Sequence, residues 1–145
     1  MLQKRKVVVT GLGVLAPNGN TTSEYWKALT AGKSGIGPIE SFDASDLSVR
    51  IAGELKDFDP QSFFDRKELR KLDPFTIYHL VSSEEPIKNS GIDLDKTDGD
   101  RIGVIIGTGI GGIQTLENEH GVFSERGQRS CLLYTSDAAD DIRCV

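Results

Sequence analysis

Two glycine turns carry the spacing closest to a chemical motif. Gly107, Gly109 and Gly112 satisfy G-x-G-x-x-G, and Ile102-Gly103-Val104-Ile105-Ile106 before them reads as a buried strand. A strand that ends in such a turn and opens a helix can seat a pyrophosphate on the helix N-terminus. On that reading the chain is part of an NAD(P)-binding α/β oxidoreductase. Gly11 and Gly13 come after Val7-Val8-Val9-Thr10 in the same manner, with Ala16 where a third glycine would fall. The alternative for both is a tight structural turn. Gly32-Lys33-Ser34 imitates the end of a P-loop, but Lys27 stands where that motif needs its first glycine. The P-loop is rejected.

The elements that must position these turns are set by local signals. Thr21-x-x-Glu24 is a capping-box pattern opening a helix through Tyr25, Trp26 and Leu29, closed by a left-handed Gly32. Ile51-Ala52-Gly53-Glu54-Leu55 is a short strand candidate. Asp59-Pro60 starts a short helix, and Asp73-Pro74 starts a longer one that ends near Ser90-Gly91. Phe75, Tyr78, Val81 and Ile87 form the expected inward stripe of that helix, with Pro86 kinking it. A last helix is expected from Ile113 to about His120.

The chain has 145 residues, room for one domain with a respectable core. Its 17 Lys+Arg against 22 Asp+Glu argue against a nucleic-acid binder held by overall charge. Lys4-Arg5-Lys6 before an apolar run imitates a signal peptide, but Thr10, Gly11, Gly13 and Pro17 dilute it. No run approaches membrane-spanning length, and a soluble cytoplasmic protein is expected.

A break falls near residue 130. The segment that begins Cys131-Leu132-Leu133-Tyr134-Thr135-Ser136 and runs to Val145 lacks helical or strand periodicity. It resembles the translation of a transposase-type sequencing adapter, so residues 131–145 are expected to be a non-native tail on a body of residues 1–130. A natural unstructured tail is the alternative. Without Asp137, Asp140, Asp141 and Arg143 the balance is 16 basic to 19 acidic residues. Cys131 and Cys144 are then neither a disulfide, nor a metal pair, nor a nucleophile.

The ordered series of motifs resembles the elongating β-ketoacyl-[acyl-carrier-protein] synthase family. It comprises Val7-Val8-Val9-Thr10-Gly11-Leu12-Gly13, Pro17-Asn18-Gly19-Asn20, Trp26-Lys27-Ala28-Leu29, Ala31-Gly32-Lys33-Ser34-Gly35-Ile36 and Phe42-Asp43. It continues through Asp65-Arg66-Lys67-Glu68-Leu69-Arg70-Lys71-Leu72-Asp73 to Arg101-Ile102-Gly103 and the glycine turn at 107–112. The resemblance implies an α/β chain forming the incomplete N-terminal half of a thiolase-like αβαβα layered fold. It implies a homodimeric parent that carries out a decarboxylating Claisen condensation with acyl- and malonyl-loaded acyl carrier protein.

Such chemistry requires a cysteine thiolate, oxyanion-binding amides, two histidines and a lysine. The resemblance places these beyond the second glycine turn, so this chain is expected to be inactive alone. His79 and His120 match no family catalytic histidine and are expected to be surface or packed residues. Carried over residue by residue, Ile110 matches the gate of the acyl pocket. Lys67, Arg70, Lys71 and Arg129 match members of the carrier-protein docking patch, although Glu68 also suits a merely solvated face. Gln128, Ser130 and Pro86 depart from the family pattern. No cofactor, metal, nucleic acid or membrane is implied. A non-catalytic ketosynthase partner that shapes chain length is a further alternative.

Overall fold

A computed structural model describes residues 6–127. The Arg129 and Cys131 readings, Cys144 and the segment 131–145 lie outside these residues. The described elements, in chain order, are α1 (Thr22–Thr30), β1 (Gly37–Pro38), β2 (Ile51–Ala52), α2 (Arg66–Leu69), α3 (Pro74–Ser90) and α4 (Ile113–Arg126). Single 3-10 turns lie at Pro60–Ser62 and Gly99–Arg101.

The capping signals at Thr21 and Asp59 are realised, while Asp73 makes no side-chain cap bond. Thr21 accepts the Glu24 amide at 3.2 Å, while the Glu24 carboxylate reaches back to the Asn20 amide at 3.0 Å. This box is displaced by one residue from the usual reciprocal form. Gly32 and Gly91 take the left-handed conformation after α1 and α3, at φ 66° and 68°. Asp59 accepts the Gln61 amide at 2.9 Å ahead of Pro60, and Asp65 and Glu68 form a complete capping box on α2. β1 and β2 pair antiparallel with Gly37 opposite Ala52, so only two residues of the expected 51–55 strand are laddered.

The two expected buried strands are not formed. Residues 6–15 and 102–108 carry no strand assignment, and Val7 is 93% and Ile105 99% exposed. A strand needs a laddered neighbour, and one bearing Val and Ile on both faces needs layers over each. Among the described residues neither is supplied. Among the described residues the buried apolar side chains are Ala28, Ala44 and Ile77, a smaller core than the length suggests.

Two helix expectations are also corrected. On α3, Ile77 is buried while Tyr78 and Ile87 are exposed. Its inner face runs through Ile77, Val81, Ser82, Glu85 and Pro86, because small residues and a proline let its backbone come close to the chain beneath it. α4 continues six residues past His120 to Arg126. Gly121 weakens a helix by only about 1 kcal/mol, and the residues after it are compatible with helix.

That close approach explains the first glycine pair. A methyl group on Gly11 would lie 2.7 Å from Pro86 Cα, and one on Gly13 would lie 2.5 Å from Pro86 Cδ and overlap the Ser82 carbonyl oxygen. By contrast, methyl groups on Gly107 and Gly109 would meet nothing. Gly13→Ala is therefore expected to destabilise the chain by about 1–3 kcal/mol, and Gly109→Ala by less than about 0.5 kcal/mol. Urea unfolding of the two variants beside the parent checks this, and equal losses would contradict it.

Candidate functional site

α3 covers both glycine turns, one near each end. At the first, Ser82 and Pro86 sit directly on Gly11 and Gly13. Pro86 has no N–H to offer the Ser82 carbonyl four residues back, which leaves the helix backbone locally open toward that turn. Glu85 fixes the crossing. Its carboxylate accepts the Thr22 amide at 2.9 Å and the Thr22 hydroxyl at 2.8 Å. An anion is thereby placed at the N-terminus of α1, where the helix dipole favours it. The Thr22 amide foremost, then its hydroxyl and the Val14 amide, hold the Glu85 carboxyl below its ordinary value, against burial acting the other way.

The second turn, residues 107–112, meets the N-terminal part of α3. Gly111 has φ 74°, and its amide donates to Thr108 Oγ1 at 3.0 Å. A methyl group on Gly112 would lie 2.7 Å from the Asp73 carboxyl carbon. Thr115 Oγ1, in the first turn of α4, donates to Asp73 Oδ1 at 2.5 Å. A protein carboxylate therefore stands beside the third glycine of the second turn, and the first turn is packed against helix backbone. An anion at the start of α4 disfavours a second one there.

Ile110 stands at this second turn, 75% exposed. Lys67 lies on α2, Arg70 at its end and Lys71 just beyond, all exposed and, among the described residues, outside any ion pair. Glu68, interleaved with them, turns its carboxylate back to the Asp65 amide at 3.0 Å. Structure thus brings the three cations together, away from Ile110 in sequence and element.

His120 is exposed on α4. His79, expected to be an ordinary surface or packed residue, is partly buried and has a carbonyl oxygen at each ring nitrogen. Sequence reasoning missed the placement of Asp73, His79 and Glu85. For Asp73 the available signal was an N-cap residue before proline, which the structure shows making no side-chain cap bond.

A cleft of about 990 Å³ lies between the β1–β2 hairpin and α3, lined in part by Glu54, Phe58, Ile77 and Tyr78. The Glu54 carboxylate is engaged by the Ser41 hydroxyl and the Glu40 and Ser41 amides, which lower its pKa in that order of partners, the hydroxyl first and then the Glu40 amide. Among the described residues no cluster of three His, Cys, Asp or Glu side chains is placed to hold a metal ion. No described helix is long and apolar enough to cross a membrane.

The family model described as "Beta-ketoacyl synthase, N-terminal domain" matches residues 4–140. The chain belongs to the β-ketoacyl synthase family. It is 45% identical over 130 residues to 3-oxoacyl-[acyl-carrier-protein] synthase 2 of Synechocystis sp., covering 90% of this chain and 31% of that protein. The same-named protein of Coxiella burnetii is 44% identical over 128 residues, covering 88% and 31%. The chain therefore spans about a third of the length of the curated relatives it matches.

Among solved structures it resembles a type II PKS ketosynthase, described as AntDE:AntF in complex with its acyl-carrier protein and bound to the hexaketide. The TM-score is 0.69 at 28% identity, covering 88% of this chain and 33% of that one. It also resembles the ishigamide ketosynthase/chain length factor, with a TM-score of 0.63 at 25% identity, covering 83% and 30%. These neighbours bear out the thiolase-like α/β fold class, of which this chain carries a part.

The Glu85 tether gives a pH dependence with a defined sign. The carboxyl is held lower in the folded chain than in the unfolded one, so its contribution is present above the ordinary glutamate pKa of about 4.3 and is lost as pH falls through the folded value. Melting temperatures of the parent chain and Glu85→Gln are expected to differ near pH 7 and to converge toward pH ~3. A gap that stays constant with pH would contradict the tether.

Proposed function

We propose that this chain is the N-terminal part of an elongating β-ketoacyl-[acyl-carrier-protein] synthase of fatty-acid biosynthesis. The parent joins an acyl-enzyme to malonyl-carrier protein with loss of CO₂. The observation that carries this reading is the 45% identity, over nearly the whole body of the chain, to a protein of that name. The packing of the glycine turns supports it against a nicotinamide-binding oxidoreductase, because α3 lies directly on Gly11 and Gly13 and the Asp73 carboxylate beside Gly112 would repel a pyrophosphate at the start of α4.

In the condensation the carbanion left by decarboxylation attacks the acyl thioester, forming the new carbon–carbon bond while the cysteine thiolate departs. We assign none of the described residues to the nucleophile, the histidines or the lysine. Ile110, exposed at the second glycine turn, is proposed as the residue that gates the acyl pocket. Lys67, Arg70 and Lys71, with Arg129 outside the described residues, are proposed to dock the acidic carrier protein, with electrostatic steering as their main contribution. The parent is proposed to be a cytoplasmic homodimer.

The boundary near residue 130 is part of the same proposal. The curated relatives align over 128–130 residues, although the family model runs to residue 140. A second reading, a non-catalytic partner that shapes chain length, has the likeness to the ketosynthase/chain length factor in its favour. Genomic sequence continuing across codon 130 distinguishes the two: a cysteine at the next strand–helix junction supports the condensing enzyme, and another residue there supports the partner.

Two outcomes are expected of the 145-residue chain. Incubated with acyl-carrier thioester, it gains no acyl mass by intact-protein mass spectrometry, whereas covalent acylation would contradict the expected absence of the nucleophile. Reversing Lys67, Arg70 and Lys71 to Glu is expected to slow carrier-protein association about tenfold or more at low salt, with the difference shrinking as salt rises. Surface plasmon resonance across a salt series checks this, and unchanged association would remove these residues from the docking surface.

A further inference from the structure

Asp73 and His79 lie six residues apart on the N-terminal part of α3 and engage opposite ends of the 107–112 turn. Asp73 has the backbone of an N-cap, at φ −69° and ψ 152°, and precedes Pro74, yet its side chain makes no cap bond. An uncapped aspartate leaves helix amides without the acceptor that residue ordinarily supplies. Its carboxylate is instead spent on the far end of the turn. It accepts the Thr115 hydroxyl at 2.5 Å and fills the space beside Gly112 that any side chain there would take. It also brings negative charge to the first turn of α4, where the helix dipole favours it.

His79 holds the near end. Its Nδ1 lies 2.6 Å from the Phe75 carbonyl oxygen on its own helix, and its Nε2 lies 3.2 Å from the Gly107 carbonyl oxygen. A neutral ring donates to one of these oxygens, and the bond to Gly107 needs the proton on Nε2. The Phe75 ring stands edge-on to the imidazole, with centroids 6.1 Å apart, which restricts the ring's tilt. Between the two anchors the turn has glycine at 107, 109, 111 and 112, and methyl groups on 107 and 109 would meet nothing. Such a segment has little of its own to fix its path.

We infer that Asp73 and His79 are positioning residues, a two-point clamp by which α3 sets the conformation of the 107–112 turn and so the place of Ile110. The consequence for Ile110 as an acyl-pocket gate rests on the function proposed above; the clamp itself does not.

Amide hydrogen exchange on the 145-residue chain tests it. Asp73→Ala, His79→Ala and Thr115→Val are each expected to raise exchange about five- to tenfold at Gly111 and at Leu116, whose amides donate to Thr108 Oγ1 and the Gly112 carbonyl, leaving α1 unchanged. Asp73→Asn keeps an acceptor for Thr115, and His79→Gln keeps a donor for Gly107, so both are expected to restore most of the protection. Asp73→Ala combined with Thr115→Val should add little to either alone.

Exchange unchanged in the alanine variants would overturn the proposal. So would an equal rise in α1, which would make these side chains supports of the whole fold. A parent chain without protection at Gly111 and the start of α4 would overturn it too. The readout involves no acyl chain, so the clamp and the gate reading fail separately.

Discussion

The structure depends on one helix lying against backbone rather than against side chains. α3 crosses residues 11–13 so closely that Gly11 and Gly13 have no room for a Cβ. That approach needs small groups on both partners, which the glycines and the Ser82-to-Pro86 stretch supply. Pro86 deprives the Ser82 carbonyl of its helical N–H, so the irregularity falls at the crossing itself. Glu85, beside it, converts the crossing into a polar lock by accepting the amide and hydroxyl of Thr22. A residue that first reads as a flaw in the helix therefore sits where the helix makes its tightest contact.

From that seat the other end of α3 reaches the second glycine turn through Asp73 and His79. A motif that alone suggests a phosphate cradle becomes, in its three-dimensional setting, a turn with a protein carboxylate against its third glycine. This separates a dinucleotide fingerprint from a glycine turn of similar spelling. Spacing gives the backbone its freedom, and what occupies the resulting space decides the chemistry. The exposed Ile110 then stands on a turn tied to this scaffold, and the exposed cations lie just ahead of α3 in the chain.

Local signals are legible in the sequence because each depends on neighbours within a turn. Thr21 and Asp59 cap as their spacing implies, and Gly32 and Gly91 end helices in the left-handed conformation. The runs at 7–9 and 102–106 have the composition of strands without forming them, because composition reports what a segment prefers, not whether a ladder partner is at hand. The α3 inner face keeps Val81 but takes Ile77, Ser82, Glu85 and Pro86 in place of Tyr78 and Ile87, because apolar patterning counts Tyr78 and passes over Ser82 and Glu85 while close backbone packing favours the smaller set. Asp73 is legible as a cap position but not as a link to Thr115, which lies 42 residues on. His79 gives no sequence signal at all. Its role depends on a carbonyl 28 residues away. The family resemblance survives these errors because it rests on ordered motifs rather than on any one element.

The seating of α3 on both glycine turns is tested most directly by nuclear Overhauser contacts in the isotopically labelled chain. Cross-peaks are predicted between Gly13 Hα and the Pro86 ring protons, and between the His79 ring and residues 107 to 108. Their joint presence is the result this structure requires. Assigned spectra in which α3 is helical but either set of contacts is missing would contradict it.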